Sequence, residues 1–286
     1  MQILNLYKQD LMEQFRQQLE ADEFFNMLKG RTLFRKIQLT ELPFTTLEEV
    51  YRSVKVVELP QNDFLPSDPG DCIYEIISGY VKIYDRALSP AEKRGQEKKD
   101  TRALLAWRIP GELLGDFNFV APNEKHSDQI QATDNCILLK VPFNTLRKLA
   151  EGYPHVYFNV ASNLAAKAFK TRVRAQVLRL PSISCKIAKL FTEFLLERGY
   201  DKSIELPDGS TRVVNGTYHI EDIAAFLGYG YQGVQAGLKA LIKKEKLLEH
   251  HQTQKSGRFV ILDEDGLYKY ILREQSKADR QSAASV

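Results

Sequence analysis

Cysteine is scarce in this 286-residue chain, and the little there is points away from cysteine chemistry. Cys72, Cys136 and Cys185 are far apart and odd in number. They form no CxxC pair and no His/Cys spacing of the kind that binds a metal, so they read as reduced core thiols of a cytoplasmic protein. Long apolar runs are missing too. Nothing approaches the roughly 20 residues that a membrane span needs. The opening stretch, MQILNLYKQDLMEQF, carries charges throughout and has no signal-peptide core. Neither sign of charge dominates: 40 Lys and Arg against 37 Asp and Glu leave +3. That balance neither demands nor excludes nucleic acid, because a basic face can sit on a near-neutral chain. Signatures of catalysis are also absent. There is no nucleophile elbow, no phosphate loop and no metal spacing. His126, near Asp116 and Ser127, reads as a polar surface or pocket residue in a loop. These absences argue against an enzyme, and no resident cofactor is implied.

What is present is an ordinary globular composition, 43% hydrophobic and 27% charged, over a length that suits one large domain or two smaller ones. Residues 2–29 read as an amphipathic helix, with Leu4, Leu11, Phe15, Leu19 and Leu28 near helical spacing and Gly30 as its stop. From about Pro43 the pattern turns to short strands: 54–59, then 72–85 bent around Ser78-Gly79, then 103–109, then 129–141 with a turn at Asp134-Asn135. Short strands joined by Gly, Pro and Asn predict a β-roll or barrel. The polar segment 89–100, SPAEKRGQEKKD, reads as an exposed hairpin loop.

Pro154 is suited to open a long helix that runs to Leu180, just before Pro181. Within it Tyr157, Ala161, Leu164, Ala168, Thr171, Ala175 and Leu178 alternate at spacings of four and three, a heptad-like seam whose small residues would admit a second helix. That stripe predicts a homodimer; the competing reading packs it on the chain's own strands. The face carrying Lys167, Lys170, Arg172, Arg174 and Arg179 reads as solvent-facing. A second helix is expected from Ser182 to Arg198, with Gly199 as its cap, followed by turns at 207–209 and 215–216.

The most informative stretch is 219–251, HIEDIAAFLGYGYQGVQAGLKALIKKEKLLEHH. A helix-turn-helix needs a small residue where its helices cross, a residue tolerant of positive φ in the turn, and apolar anchors for the second helix. Ala224, Gly228 and Val234 meet those needs, and Ile223, Phe226, Leu227, Leu238, Leu241 and Ile242 supply a shared core. A strand from Leu247, a turn at Lys255-Ser256-Gly257-Arg258 and a return along 259–262 predict a wing. From Tyr231 to Arg258 six Lys or Arg face two Glu, a local excess of +4 suited to phosphates. The second helix would lead into the major groove with Tyr231, Gln232 and Gln235, while Lys239, Lys243, Lys255 and Arg258 are candidates for backbone contacts. Against this, Gly233 and Gly237 weaken the helix by roughly 1 kcal/mol each relative to Ala.

The order of β-roll, long helix and winged helix resembles the CRP/FNR family of bacterial transcription regulators over roughly residues 43–265. ISGYVKIY at 77–84 is similar to that family's strand-Gly-strand signature, PGELLGDFNFV at 110–120 to its phosphate-binding segment, and PFNTLRKLAEGYP at 142–154 to its entry into the dimer helix. The resemblance implies an α+β fold in four parts: an N-terminal helical extension (1–42), a cyclic-nucleotide-binding-like β-roll (43–145), a dimerisation helix (146–180) and a winged helix-turn-helix domain (181–286). It implies promoter DNA, a second copy of the chain and RNA polymerase as partners, with a small-molecule effector in the roll and no membrane. Gly115-Asp116 stands where cyclic-nucleotide binders carry Gly-Glu, and His126-Ser127 where they carry Arg-Ser or Arg-Ala. Asp is one methylene shorter and His is a poorer phosphate clamp than Arg, which argues against cyclic AMP or cyclic GMP. The family's Arg-Glu…Arg appears here as Tyr231-Gln232…Ala236, so a different operator is expected. The alternative reading is an effector- or protein-binding module that has lost sequence-specific DNA readout.

Overall fold

The computed structural model describes residues 22–66, 71–85, 103–122, 128–195, 200, 212–214, 218–253 and 256–284. The expectations for residues 2–21, the loop 89–100, Gly199 and the turns at 207–209 and 215–216 lie outside them. The fold is α+β, as expected. Four antiparallel strands, β1 (Lys55–Leu59), β7 (Cys136–Pro142), β2 (Cys72–Ser78) and β5 (Leu113–Leu114), form one sheet in that order. A second sheet has the order β4 (Leu104–Arg108), β3 (Val81–Tyr84), β6 (Gln129–Ala132). The bend expected at Ser78-Gly79 is real: Gly79 has φ +84°, and a Cβ there would press on the Asn135 carbonyl at 2.9 Å.

The chain divides into two compact units. Unit 1 comprises Met1–Val81, Arg108–His126 and Ile130–Ala166. Its core gathers Ile73, Leu113, Leu139 and Val141 from the four-stranded sheet, and Leu146 and Leu149 from α3 (Phe143–Gly152). Leu28, Leu33, Phe34, Ile37, Leu39 and Leu42 are buried in the same core. Residues 28–42 therefore do more than extend the chain ahead of the roll. Each such buried side chain contributes about 2 kcal/mol by leaving water. Directional bonds fix the segment further. The Glu75 carboxylate accepts the backbone N–H groups of Thr32 at 2.8 Å and Leu33 at 3.1 Å. The Asn159 amide donates to the carbonyls of Leu33 and Arg35.

The long helix α4 (His155–Leu178) follows Pro154 as expected and stops two residues early. Unit 2 comprises Lys82–Trp107, Ser127–Gln129 and Lys167–Val286. In it α5 (Ile183–Leu190) is capped by Ser182, whose hydroxyl accepts the Cys185 N–H. The expected helix to Arg198 gives way at Phe191–Leu195 to a π-helical turn. The other helices are α6 (Ile220–Leu227), α7 (Tyr231–Lys239) and α8 (Glu264–Ala284). Strands β8 (Leu248–Thr253) and β9 (Ser256–Ile261) pair beside them. Helix α8 lies beyond the stretch covered by the resemblance. It is held by buried Leu267, Tyr270 and Ile271 and by a 2.7 Å hydrogen bond between the Tyr270 and Ser184 hydroxyls.

Candidate nucleic-acid interface

Helix α6 ends where Gly228 takes φ +71° and ψ +30°, the left-handed conformation that reverses the chain without strain. The Tyr229 N–H closes the turn on the Ala224 carbonyl at 3.0 Å. Helix α7 then begins at Tyr231. Ala224 and Val234 are both buried, as the helix crossing requires, and Ile223, Phe226, Leu227, Leu238 and Leu241 join them in one core.

At 100° per residue, the buried positions Val234, Gly237, Leu238 and Leu241 fall within an arc of about 100°. Tyr231, Gln232, Gln235, Ala236, Lys239 and Lys243 fall on the other side, within about 140°. Tyr231, Gln232, Ala236, Lys239 and Lys243 are exposed, and Gln235 is half-buried. One continuous face thus carries a phenol, two amides and two ammonium groups. Lys244 and Lys246, also exposed, extend its basic end. The π-helical turn Ala240–Lys244 closes the helix while Leu241 stays buried.

The wing is present but its turn is displaced. Thr253 pairs with Ser256 and His251 with Arg258, so Ser256, Gly257 and Arg258 belong to β9 and not to the expected turn. Gly257 is buried against the His250 ring, which itself stacks on Phe259 with centroids 4.4 Å apart. That packing, rather than a turn conformation, explains the glycine. Arg258 is half-buried in the strand. Lys255 lies outside the described residues.

Of the two glycines of α7, Gly237 has a packing role. A Cβ on Gly237 would lie 2.8 Å from Ile187 Cδ1, 3.0 Å from Ile183 Cγ2 and 3.2 Å from the Ser184 backbone nitrogen. A Cβ on Gly233 would meet Ile183 Cδ1 at 3.1 Å. Helix α7 therefore approaches α5 too closely for a side chain at 237. At Gly237 the lost helix propensity is the cost of that approach.

The first helix of the pair is tied down by buried charges. Arg174, expected on a solvent-facing side of the long helix, points inward. Its guanidinium donates to the carbonyls of Leu105 at 2.6 Å, Leu104 at 3.0 Å and Phe226 at 2.8 Å, and lies 4.3 Å from the Phe226 ring centroid. Burial draws its pKa below the usual arginine value. Phe226 O is one of the last carbonyls of α6, where a cation complements the helix dipole. Near the other end of α6, Asp222 pairs with Lys82 at 2.6 Å, both side chains 12% exposed. Trp107 closes the packing, 4.6 Å from Phe226 between ring centroids. A lone arginine or lysine at helical spacing carries no local signal for such a role.

On α4 the expected seam is largely open. Tyr157, Ala161, Ala168, Thr171, Ala175 and Leu178 are exposed; Leu164 is half-buried and packs on the unit 1 core. The buried valines of the helix are Val156, Val160, Val173 and Val177. Phe158 and Phe169, absent from the expected seam, are 61% and 63% exposed beside it. Their signal was aromatic residues flanking a row of alanines.

Of the expected effector residues, Gly115 and Asp116 are described. Gly115 has φ +77° and caps α2 (Asp116–Val120); a Cβ there would meet the Cys72 carbonyl at 2.7 Å. Asp116 is buried in the first turn of that helix. His126 and Ser127 lie outside the described residues. Among the described residues no cluster of His, Cys, Asp or Glu could hold a metal ion, and no helix is long and apolar enough to cross a membrane.

No family model matches the chain. Two curated proteins do. The chain is 30% identical over 118 residues to Regulatory protein HlyX of Actinobacillus pleuropneumoniae, covering 41% of this chain and 44% of that protein. It is 24% identical over 148 residues to the Anaerobic regulatory protein of Pasteurella multocida, covering 52% of this chain and 44% of that protein. The chain thus spans less than half the length of the curated relatives it matches. Among solved structures it is similar to FixK2 from Bradyrhizobium japonicum, with TM-score 0.56, 17% identity, and 76% and 96% of the two chains covered. A CRP/FNR-family transcriptional regulator from Thermus thermophilus superposes with TM-score 0.57 at 17% identity, covering 77% of this chain and all of the other. These likenesses bear out the resemblance to CRP/FNR regulators and the expected fold, and the relatives are regulators by name rather than enzymes.

Proposed function

We propose that the chain is a homodimeric, DNA-binding transcription regulator of CRP/FNR type. The observation that carries this reading is the two-sided character of α7. One arc is packed into the core at glycine distance from α5, and the opposite arc presents Tyr231, Gln232, Gln235, Lys239 and Lys243 outward. In this reading Gln232 and Gln235 pair with adenine edges, Tyr231 meets a phosphate or a thymine methyl, and Lys239, Lys243, Lys255 and Arg258 hold the backbone. The exposed row of α4, from Tyr157 and Phe158 through Ala161 and Ala168 to Phe169, Ala175 and Leu178, packs against its copy in a second chain. The β-roll is the sensing part, for a small-molecule effector near Gly115, Asp116, His126 and Ser127. RNA polymerase is the partner at the promoter. The domain limits expected from the sequence, with the roll ending near 145 and the DNA-binding part starting near 181, belong to the same reading.

The test is selection of duplexes from random DNA by the full chain, followed by shift assays. A selected palindrome should lose about 5- to 150-fold in affinity on Gln232→Ala. Lys239→Ala should weaken all duplexes alike and lower the salt slope by about one. Phe169→Arg, on an exposed site, should turn the dimer into a monomer in light scattering. Absence of any sequence-selective binding at moderate salt would overturn the proposal.

A further inference from the structure

Besides the Arg174 contact with α6, a buried ammonium group ties the end of the long helix to the turn of the helix-turn-helix. Lys186 lies on α5 and is 7% exposed. Its Nζ donates to the Leu178 carbonyl at 2.8 Å and to the Tyr229 hydroxyl at 2.7 Å, and sits 4.9 Å from the Tyr229 ring centroid. Leu178 O is a last-turn carbonyl of α4, without a partner inside its helix and at the negative end of the helix dipole. Tyr229 stands in the turn between α6 and α7, two residues before Tyr231. The Lys186 backbone N–H in turn holds the Ser182 carbonyl at 3.0 Å. One side chain therefore bridges the end of the long helix and the turn that aims α7.

Burying an ammonium against neutral oxygens carries a desolvation cost that an apolar residue of the same length would avoid. What the charge adds is direction: short donor bonds to two fixed acceptors. Arg174 and Lys82 act on α6, whereas Lys186 acts on the turn ahead of α7. We propose that Lys186, through Tyr229, is a positioning residue for DNA reading that sets the half-site spacing a dimer accepts. The inference rests on the dimeric DNA-binding reading above. In a two-fold dimer built on α4, this joint, together with the Arg174 contact to α6, places the start of each α7 relative to the symmetry axis. One added base pair moves a half-site by about 3.4 Å along the duplex and turns it by about 35°. A joint held by two short bonds does not follow that change; a loosened one does.

The experiment uses the full chain and the palindrome it selects, rebuilt with the central spacer shortened and lengthened by one and two base pairs. The wild type should show one optimum, with affinity about tenfold lower one base pair away in either direction. Lys186→Met keeps the stem and removes the donors; its preference should fall below threefold while affinity for the isolated half-site is unchanged. Tyr229→Phe keeps the half-exposed ring, removes the acceptor, and should broaden the profile in the same direction. It carries the same readout should Lys186→Met fail to fold. A profile as sharp as wild type in the variants, with only a lower melting temperature, overturns the inference and leaves Lys186 a structural residue. Failure of the wild type to bind any selected duplex overturns the dimeric reading itself, and this inference with it.

Discussion

Replacing Gly237 with alanine pits helix propensity against space. Propensity alone favours the change by about 1 kcal/mol, because alanine loses less backbone freedom on folding. Space opposes it. The new methyl group would lie 2.8 Å from Ile187 Cδ1, 3.0 Å from Ile183 Cγ2 and 3.2 Å from the Ser184 nitrogen. The two isoleucine tips can rotate, but the nitrogen belongs to the backbone of α5. Overfilling a packed site costs about 1–3 kcal/mol, so Gly237→Ala should be destabilising by up to about 2 kcal/mol. Gly233→Ala is the control on the same helix. Its methyl group would meet only the flexible end of Ile183 at 3.1 Å, so propensity wins and the protein gains about 0.5–1 kcal/mol. Urea unfolding reads both, with the slope m unchanged if only native packing is affected. Ile187→Val then removes the crowding carbon. It should cost about 0.5–1.5 kcal/mol in the wild type and close to nothing in the Gly237→Ala variant, a coupling of about 1 kcal/mol. The packing explanation fails if Gly237→Ala is as stable as Gly233→Ala, or if the effects of Ile187→Val and Gly237→Ala simply add. In that event Gly237 would again need another explanation.

Asp222→Ala leaves the Lys82 ammonium buried without its carboxylate and should cost about 3–5 kcal/mol by chemical denaturation; Asp222→Ala with Lys82→Met should recover most of it, and a fully additive double variant would refute the pairing. Burial, with Asp134 and Glu274 as secondary causes, pushes Cys136 up to about 12 and Cys185 up to about 11. At pH 8 about one Cys185 in a thousand is a thiolate, so a thiol reagent should label neither residue in the native protein and both after denaturation; rapid native labelling of either contradicts their burial. Burial also raises the Glu75 carboxyl above its usual value, outweighing the two backbone N–H groups it accepts. The folded state therefore binds that proton more tightly than the unfolded chain, and Glu75 makes stability fall as pH rises through the window just above the ordinary glutamate range. Glu75→Gln should flatten that slope in urea midpoints measured from pH 4 to 7, and at neutral pH should cost about 1–3 kcal/mol, since its amide nitrogen cannot accept an N–H.

The sequence by itself was enough to place β1, β2, β3, β4, β6 and β7, the helix after Pro154, and the helix pair around Ala224, Gly228 and Val234. Periodicity, turn residues and helix breakers are local properties, so a window of ten or twenty residues contains the whole signal. It also carried the outward face of α7, because 100° per residue follows from the helix alone. The tertiary structure decided the rest. Ser256, Gly257 and Arg258 joined β9 because strand register is set by the partner strand and by the His250–Phe259 stack, not by a Ser-Gly pair. Helix α8 lies in a mostly polar stretch and is held by α5, more than 80 residues earlier in the chain. Residues 28–42 joined the core of unit 1 because the buried Glu75 carboxylate waits for their N–H groups. Arg174, Lys82 and Lys186 look like surface charges in any local window; their roles depend on which carbonyl, carboxylate or phenol the distant chain brings within 3 Å. Gly237 shows the division most clearly. Read alone it is a weak point in a helix, whereas against the backbone of Ser184 it is the residue that lets two helices touch.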